Sequence, residues 1–131
     1  VDGRDFELQG YENGFFVGPS MFDNVTPDMD IYKEEIFGPV ATLQSFSDER
    51  EALGLANATK YGLSASVWTR DLQRAHRVAS GIDTGMVWIN TWLKRDLRVP
   101  FGGVKNSGVG REGGRFSLEF FSEAQNICAQ L

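Results

Sequence analysis

The stretch LSASVWTRDLQRAHRVASGIDTGMVWIN (63–90) decides the fold class. LSASVWT (63–69) is short, apolar and β-rich, which predicts a strand. A helix is predicted from about Asp71 to Ser80, because Leu72, Ala75, Val78, Ala79 and Ile82 recur at helical spacing and define an inner face. Gly81 suits a left-handed stop, and GMVWIN (85–90) predicts the next strand. Strand, helix and strand joined by short links form a βαβ unit, whose strands run parallel with a right-handed crossover. Upstream, VATLQSF (40–46) alternates and predicts an earlier strand after Gly38-Pro39. Ser47 is the expected cap of a helix carrying Asp48 and Glu49 in its first turn, the sign favoured there. Ala52, Leu55, Ala56 and Thr59 form its small-residue stripe, and Tyr61-Gly62 ends it. Two successive βαβ units make the predicted class α/β with a parallel sheet.

The flanks are less regular. Residues 1–34 are rich in turn formers (Gly3, Gly10, Asn13-Gly14, Gly18-Pro19, Pro27), which predicts short strands and loops. Residues 91–115 read as a long glycine-rich loop. A short helical turn near 116–121 and a terminal strand at 123–130 close the sequence.

Composition narrows the function classes. The chain has 131 residues, 41% hydrophobic and 24% charged, ordinary for a globular domain or a part of one. A net charge of −5 and a pI near 4.8 argue against a nucleic-acid partner, whose phosphates need a concentrated basic patch. Lys94, Arg95 and Arg98 are too few for one, and no apolar run approaches the roughly 20 residues of a membrane span. The opening VDGRDFELQG has no Met and no signal-peptide pattern, and reads as an excised segment. A reducing cytoplasm is the expected compartment. The one cysteine, Cys128, excludes an internal disulfide and a Cys-based metal cluster; in an apolar strand it reads as a packed thiol. His76, between arginines on the outer side of a helix, is not expected to bind metal.

GVGREGG (108–114) spells G-x-G-x-x-G through Gly108, Gly110 and Gly113. A dinucleotide turn of that spelling follows a strand, opens a helix and has an acid about 20 residues on. Here a Pro/Gly loop precedes it, and too little chain follows for a second strand. The expectation is a connector in which backbone passes close to backbone, not an NAD site.

The longer string is more informative. PFGGVKNSGVGRE (100–112) resembles the PFGGxKxSGxGRE signature of the aldehyde dehydrogenase superfamily. KEEIFGPV (33–40) resembles its EEIFGPV motif, ANATKYGLSASVWTRD (56–71) its NNxxYGL(A/S)AxVxTxD stretch, and SGIDTGMVWIN (80–90) its SGxxxGxVxxN stretch. The resemblance implies that residues 1–131 form the C-terminal portion of a catalytic domain, roughly the last quarter of such an enzyme. The nucleotide-binding domain, catalytic cysteine and general-base glutamate would then lie upstream of Val1, leaving no catalytic residue in this chain. It also implies NAD or NADP as cofactor of the full-length parent, with none held by this chain alone. The terminal strand would pair with a neighbouring subunit, giving a homo-oligomer.

By resemblance, Glu35 contacts the nicotinamide ribose and Phe37 lies near the nicotinamide ring. The chemistry fits, since a carboxylate accepts two charge-assisted bonds from a diol. The alternative is a surface acid and a core aromatic. NTWLKRDLRVPFGG (90–103) is similar to 2-hydroxymuconic and 2-aminomuconic semialdehyde dehydrogenases, which places it at the mouth of the aldehyde tunnel. Trp92 and Phe101 would line an apolar wall, and Arg95, or alternatively Arg98, would clamp a substrate carboxylate. The alternative for Arg95 is a solvated side chain or a pair with Asp96. GYENGFFVGPSMFDNVTPDM (10–29) looks closer to methylmalonate-semialdehyde-type members. Two functions follow: part of an aldehyde-oxidising enzyme, inactive as an isolated chain, or a non-catalytic oligomerisation module derived from that family.

Overall fold

The computed structural model describes residues 1–131, which divide into two units, Val1–Thr59 and Lys60–Leu131. In the first unit, β1 (Ser20–Phe22) pairs in parallel with β2 (Val40–Thr42), Ser20 opposite Val40 and Phe22 opposite Thr42. Between them in sequence lies a single helical turn, α1 (Asp30–Lys33), where loops were expected. The strand expected over 40–46 keeps only its first three residues in the ladder.

Helix α2 (Glu49–Asn57) begins one residue later than the sequence suggests. Asp48 is its N-cap, accepting the Glu51 N–H at 2.8 Å. Glu51 reaches back to accept from the backbone N–H (2.6 Å) and hydroxyl (2.5 Å) of Ser47. Both residues contribute to a reciprocal cap, but the shorter Asp48 carboxylate takes the capping position. The Ser47 hydrogen bond also holds the Glu51 carboxyl below its usual pKa range. Tyr32 ties α1 to α2 by donating to the Leu55 carbonyl at 2.5 Å.

The second unit contains the predicted βαβ motif. β4 (Ser64–Val67) and β5 (Met86–Ile89) run parallel in the register Ser64–Met86 through Val67–Ile89. They are joined by α3 (Leu72–Gly81), which packs on both strands. Asp71 caps the helix by accepting from the Arg74 N–H at 3.0 Å. Ala75 on the helix (1% exposed) and Trp88 on β5 (8%) are the buried residues of the motif. Leu72, expected on the inner face, is exposed. It stands in the first turn, where Cα–Cβ bonds tilt toward the helix start and carry the side chain off the end of the packed surface. Gly81 is not the left-handed stop: its φ is not positive, and the helix ends through extended Ile82.

The earlier βαβ unit is not hydrogen-bonded as expected, because β2 takes β1 as its partner. The strands form three two-stranded sheets in place of one. The third joins β3 (Tyr61–Gly62), read as the end of the preceding helix, antiparallel to β6 (Val104–Lys105), which lies inside what read as an unbroken loop. Helix α4 (Gly114–Phe120) matches the expected terminal turn. The strand expected over 123–130 is not formed, and Cys128 there is exposed, not packed.

The accessible surface is 10,908 Å². Two separate compact bodies of these two lengths would expose only about 8,300 Å². The exposed apolar side chains include Phe15, Phe37, Val109 and Phe121.

Candidate functional site

The segment after α1 runs extended into a tight turn. Gly38 donates to the Ile36 carbonyl and Val40 to the Gly38 carbonyl, both at 2.8 Å, and the Pro39 carbonyl accepts from Ser20 at 2.9 Å. These three bonds brace the approach to β2. Glu35 and Phe37 project from it; Glu35 is exposed, and Phe37 is 98% exposed. Phe37 is therefore no core aromatic in this chain. An exposed carboxylate and an open ring face, two residues apart on a braced turn, have the right chemistry for a ribose diol and a flat heteroaromatic ring.

In the second unit, Asn90 fixes where the loop leaves β5. Its Oδ1 accepts from the Thr69 N–H and its Nδ2 donates to the Thr69 carbonyl, both at 2.8 Å, so the ends of β4 and β5 are locked together. Trp88 steadies the next turn: its indole Nε1 donates to the Lys94 carbonyl at 2.8 Å, and its ring meets Trp92 edge-on at 5.1 Å. Trp92 remains 57% exposed.

Arg95 then lies over Phe101, its guanidinium carbon 4.0 Å from the ring centroid. Its Nη2 donates to Glu112 Oε1 at 2.7 Å. Glu112 and Phe101 also exchange both backbone hydrogen bonds at 2.8 Å. Arg95, Phe101 and Glu112 thus form one cluster joining the two halves of the long loop. Asp96 is taken instead by Arg98, through a fork of Nε (2.9 Å) and Nη2 (2.6 Å). That hydrogen-bonded fork holds the Asp96 carboxyl below its usual range and raises the Arg98 pKa. Arg98 is thereby committed to a local turn, whereas the Arg95 plane is presented on an aromatic face. Nothing singled out Glu112 in the sequence. The available signal was its place as the last residue of PFGGVKNSGVGRE.

A hollow of about 380 Å³ lies in the same unit, lined by Leu63, Phe101, Val109, Glu112, Phe120 and Phe121 among others. Of the three residues expected at the substrate, Phe101 lines it; Trp92 and Arg95 do not. Glu35 and Phe37 belong to the first unit.

The glycine motif does different work. Gly108, Gly110 and Gly113 have φ of 148°, 76° and 98°. A dinucleotide turn offers its backbone N–H groups to a pyrophosphate. Here Glu112 donates to Phe101 O, Gly113 to Ser117 Oγ and Gly114 to Leu97 O, so three successive amides are satisfied within the protein. The motif is a loop clasp. His76 is exposed on α3.

Residues 1–127 match the aldehyde dehydrogenase family. The chain belongs to that family. Among aldehyde dehydrogenases it is 49% identical to the 2-hydroxymuconic semialdehyde dehydrogenase of Pseudomonas putida, over 90% of this chain and 24% of the relative. It is 48% identical to the 2-aminomuconic semialdehyde dehydrogenase of Danio rerio, over 89% of this chain and 24% of the relative. Its fold matches a crystal structure of betaine aldehyde dehydrogenase from Staphylococcus aureus in complex with NAD+. The TM-score is 0.87 at 40% identity, covering 92% of this chain and 24% of that one. The chain spans about a quarter of the length of the aldehyde dehydrogenases it matches. The α/β class and the family read from four motifs both hold. No helix is long and apolar enough to cross a membrane.

Proposed function

We propose that this chain is the C-terminal part of the catalytic domain of an NAD(P)-dependent aldehyde dehydrogenase that oxidises a carboxylate-bearing semialdehyde to the acid. The observation that carries the substrate half of this reading is the Arg95 guanidinium lying on Phe101. A planar cation presented on an aromatic face suits a carboxylate, as on a muconic semialdehyde, and opposes a cationic substrate such as betaine aldehyde. Trp92 supplies apolar wall beside it. When bound, the nicotinamide nucleotide supplies the hydride acceptor. Glu35 would accept from its ribose hydroxyls and Phe37 would orient the ring by contact. The nucleophilic cysteine and the general base belong to the rest of the enzyme, and Cys128 is neither. We place the protein in the cytoplasm, where an exposed unpaired thiol such as Cys128 stays reduced.

The cofactor assignment is tested in the intact enzyme by equilibrium binding. Glu35→Gln is expected to raise the dissociation constant for the nucleotide about tenfold or more, the scale of a lost hydrogen bond to charge. Gly110→Ala is expected to leave that constant unchanged and to lower stability by about 1–2 kcal/mol. Its φ of 76° disfavours a side chain, although no atom lies within 4 Å of the added Cβ. The reverse pattern would return the cofactor to GVGREGG.

The surplus surface and the unpaired residues 123–130 favour a second reading, a non-catalytic module that assembles with copies of itself through exposed strand edges. Whether the source gene continues upstream into a Cys-bearing domain separates the two. Light scattering on the isolated chain tests the module on its own terms: a monomer at all concentrations removes it.

A further inference from the structure

We infer that Glu112 sets how strongly Arg95 takes a carboxylate, acting as a built-in competitor on the same guanidinium. This rests on the carboxylate-binding role proposed above for Arg95. A guanidinium offers two forked edges, one from Nε and Nη2 and one from Nη1 and Nη2, and Nη2 belongs to both. Glu112 occupies that shared atom, with its Oε1 at 2.7 Å. A ligand carboxylate arriving at either fork meets the Glu112 charge beside it.

The two halves of the cluster differ in freedom. The Glu112 backbone is fixed by its paired hydrogen bonds with Phe101. Its side chain is 64% exposed, against 38% for Arg95. The carboxylate can therefore swing into water while its backbone stays in place. Arg95 keeps its seat on Phe101 when it does, since the ring contact is independent of the ion pair. An ion pair this open to solvent is weak, so exchange of one carboxylate for another is easy. Glu112 keeps the cation satisfied without a ligand and lowers its affinity for stray anions. It is a specificity-determining residue that works through Arg95.

The test uses the intact enzyme and muconate, a dicarboxylate, as competitive inhibitor against the aldehyde. Glu112→Gln keeps the side chain's size and removes the charge. It is expected to lower the muconate Ki about twofold to fivefold, the range of an exposed ion pair. The ratio of kcat/KM for a carboxylated semialdehyde over a neutral aldehyde of similar length should rise by the same factor. A ratio cancels any general effect of the substitution on turnover or folding. An unchanged or higher Ki overturns the inference. Glu112→Asp retracts the carboxylate by one methylene and should shift Ki in the same direction by less; should the Gln variant not fold, a higher Ki for Asp overturns the inference equally. Arg95→Ala, measured alongside, tells the two levels apart. Equal losses on both substrates remove the carboxylate role of Arg95 itself. A selective loss with no gain from Glu112→Gln removes only the competitor.

Discussion

Gly85→Ala is expected to destabilise the protein by about 3 kcal/mol or more, a large part of the roughly 5–15 kcal/mol that holds a domain folded. The added Cβ would lie 1.6 Å from the Gly102 carbonyl oxygen and 3.2 Å from Gly103 Cα. Both are backbone atoms, so no rotamer change relieves the overlap. Gly85 also donates to the Gly62 carbonyl at 3.1 Å as the chain enters β5, so it cannot retreat without breaking that bond. Gly54→Ala serves as the control. Gly54 lies in the exposed middle of α2 with nothing within 4 Å of a new Cβ. There the change should stabilise by about 0.5–1 kcal/mol through helix propensity alone. Urea unfolding of the two variants checks both signs. A wild-type midpoint for Gly85→Ala would mean that the glycine loop does not pack against the start of β5.

Arg95→Ala carries the larger functional effect. In the intact enzyme it should cut kcat/KM for a carboxylated semialdehyde by about 30- to 150-fold while sparing a neutral aldehyde of similar length. That range corresponds to roughly 2–3 kcal/mol for a hydrogen-bonded charge pair, at 1.4 kcal/mol per decade. Arg95→Lys should recover only part of the loss, because an ammonium lacks the fork and lies less well on the Phe101 ring. The structure also says what a merely structural Arg95 would look like. If its role is to hold the loop through Glu112 and Phe101, both substrates lose rate together and the melting temperature falls.

The β4–α3–β5 unit was legible because its cues are local: helical spacing of apolar residues and two short apolar strands at the expected distance. The stop at Ile82 was misread because Gly81 looked like a terminator, yet a helix can also end by turning extended. The cap at Asp48 was misread by one residue because Ser47 and Asp48 are both cap formers, and only geometry decides which carries the Glu51 N–H. Pairing partners were harder. β2 is three residues long and takes β1 from the segment read only as short strands and loops, while β3 and β6 are two residues each. Such short ladders have no periodicity to read. At the candidate site, Arg95 and Phe101 were named from the motif, and their contact bears on both at once. Glu112 was missed because its partner lies 17 residues away in sequence, and no spacing rule links an acid to an arginine across a glycine loop. Cys128 was read as packed because it was placed in an apolar strand; that strand is not formed, and the thiol is exposed.

In the function proposed above, this segment makes its aldehyde dehydrogenase select a substrate ending in a carboxylate. The direct measurement is kcat/KM for 2-hydroxymuconic semialdehyde and for betaine aldehyde on the same intact enzyme, at matched pH and ionic strength, with and without Arg95→Ala. The expected result is a strong preference for the carboxylated substrate that collapses when Arg95 is removed, with the cationic aldehyde gaining as the repelling charge is lost. A preference for betaine aldehyde, or a muconic preference unchanged by Arg95→Ala, would contradict it.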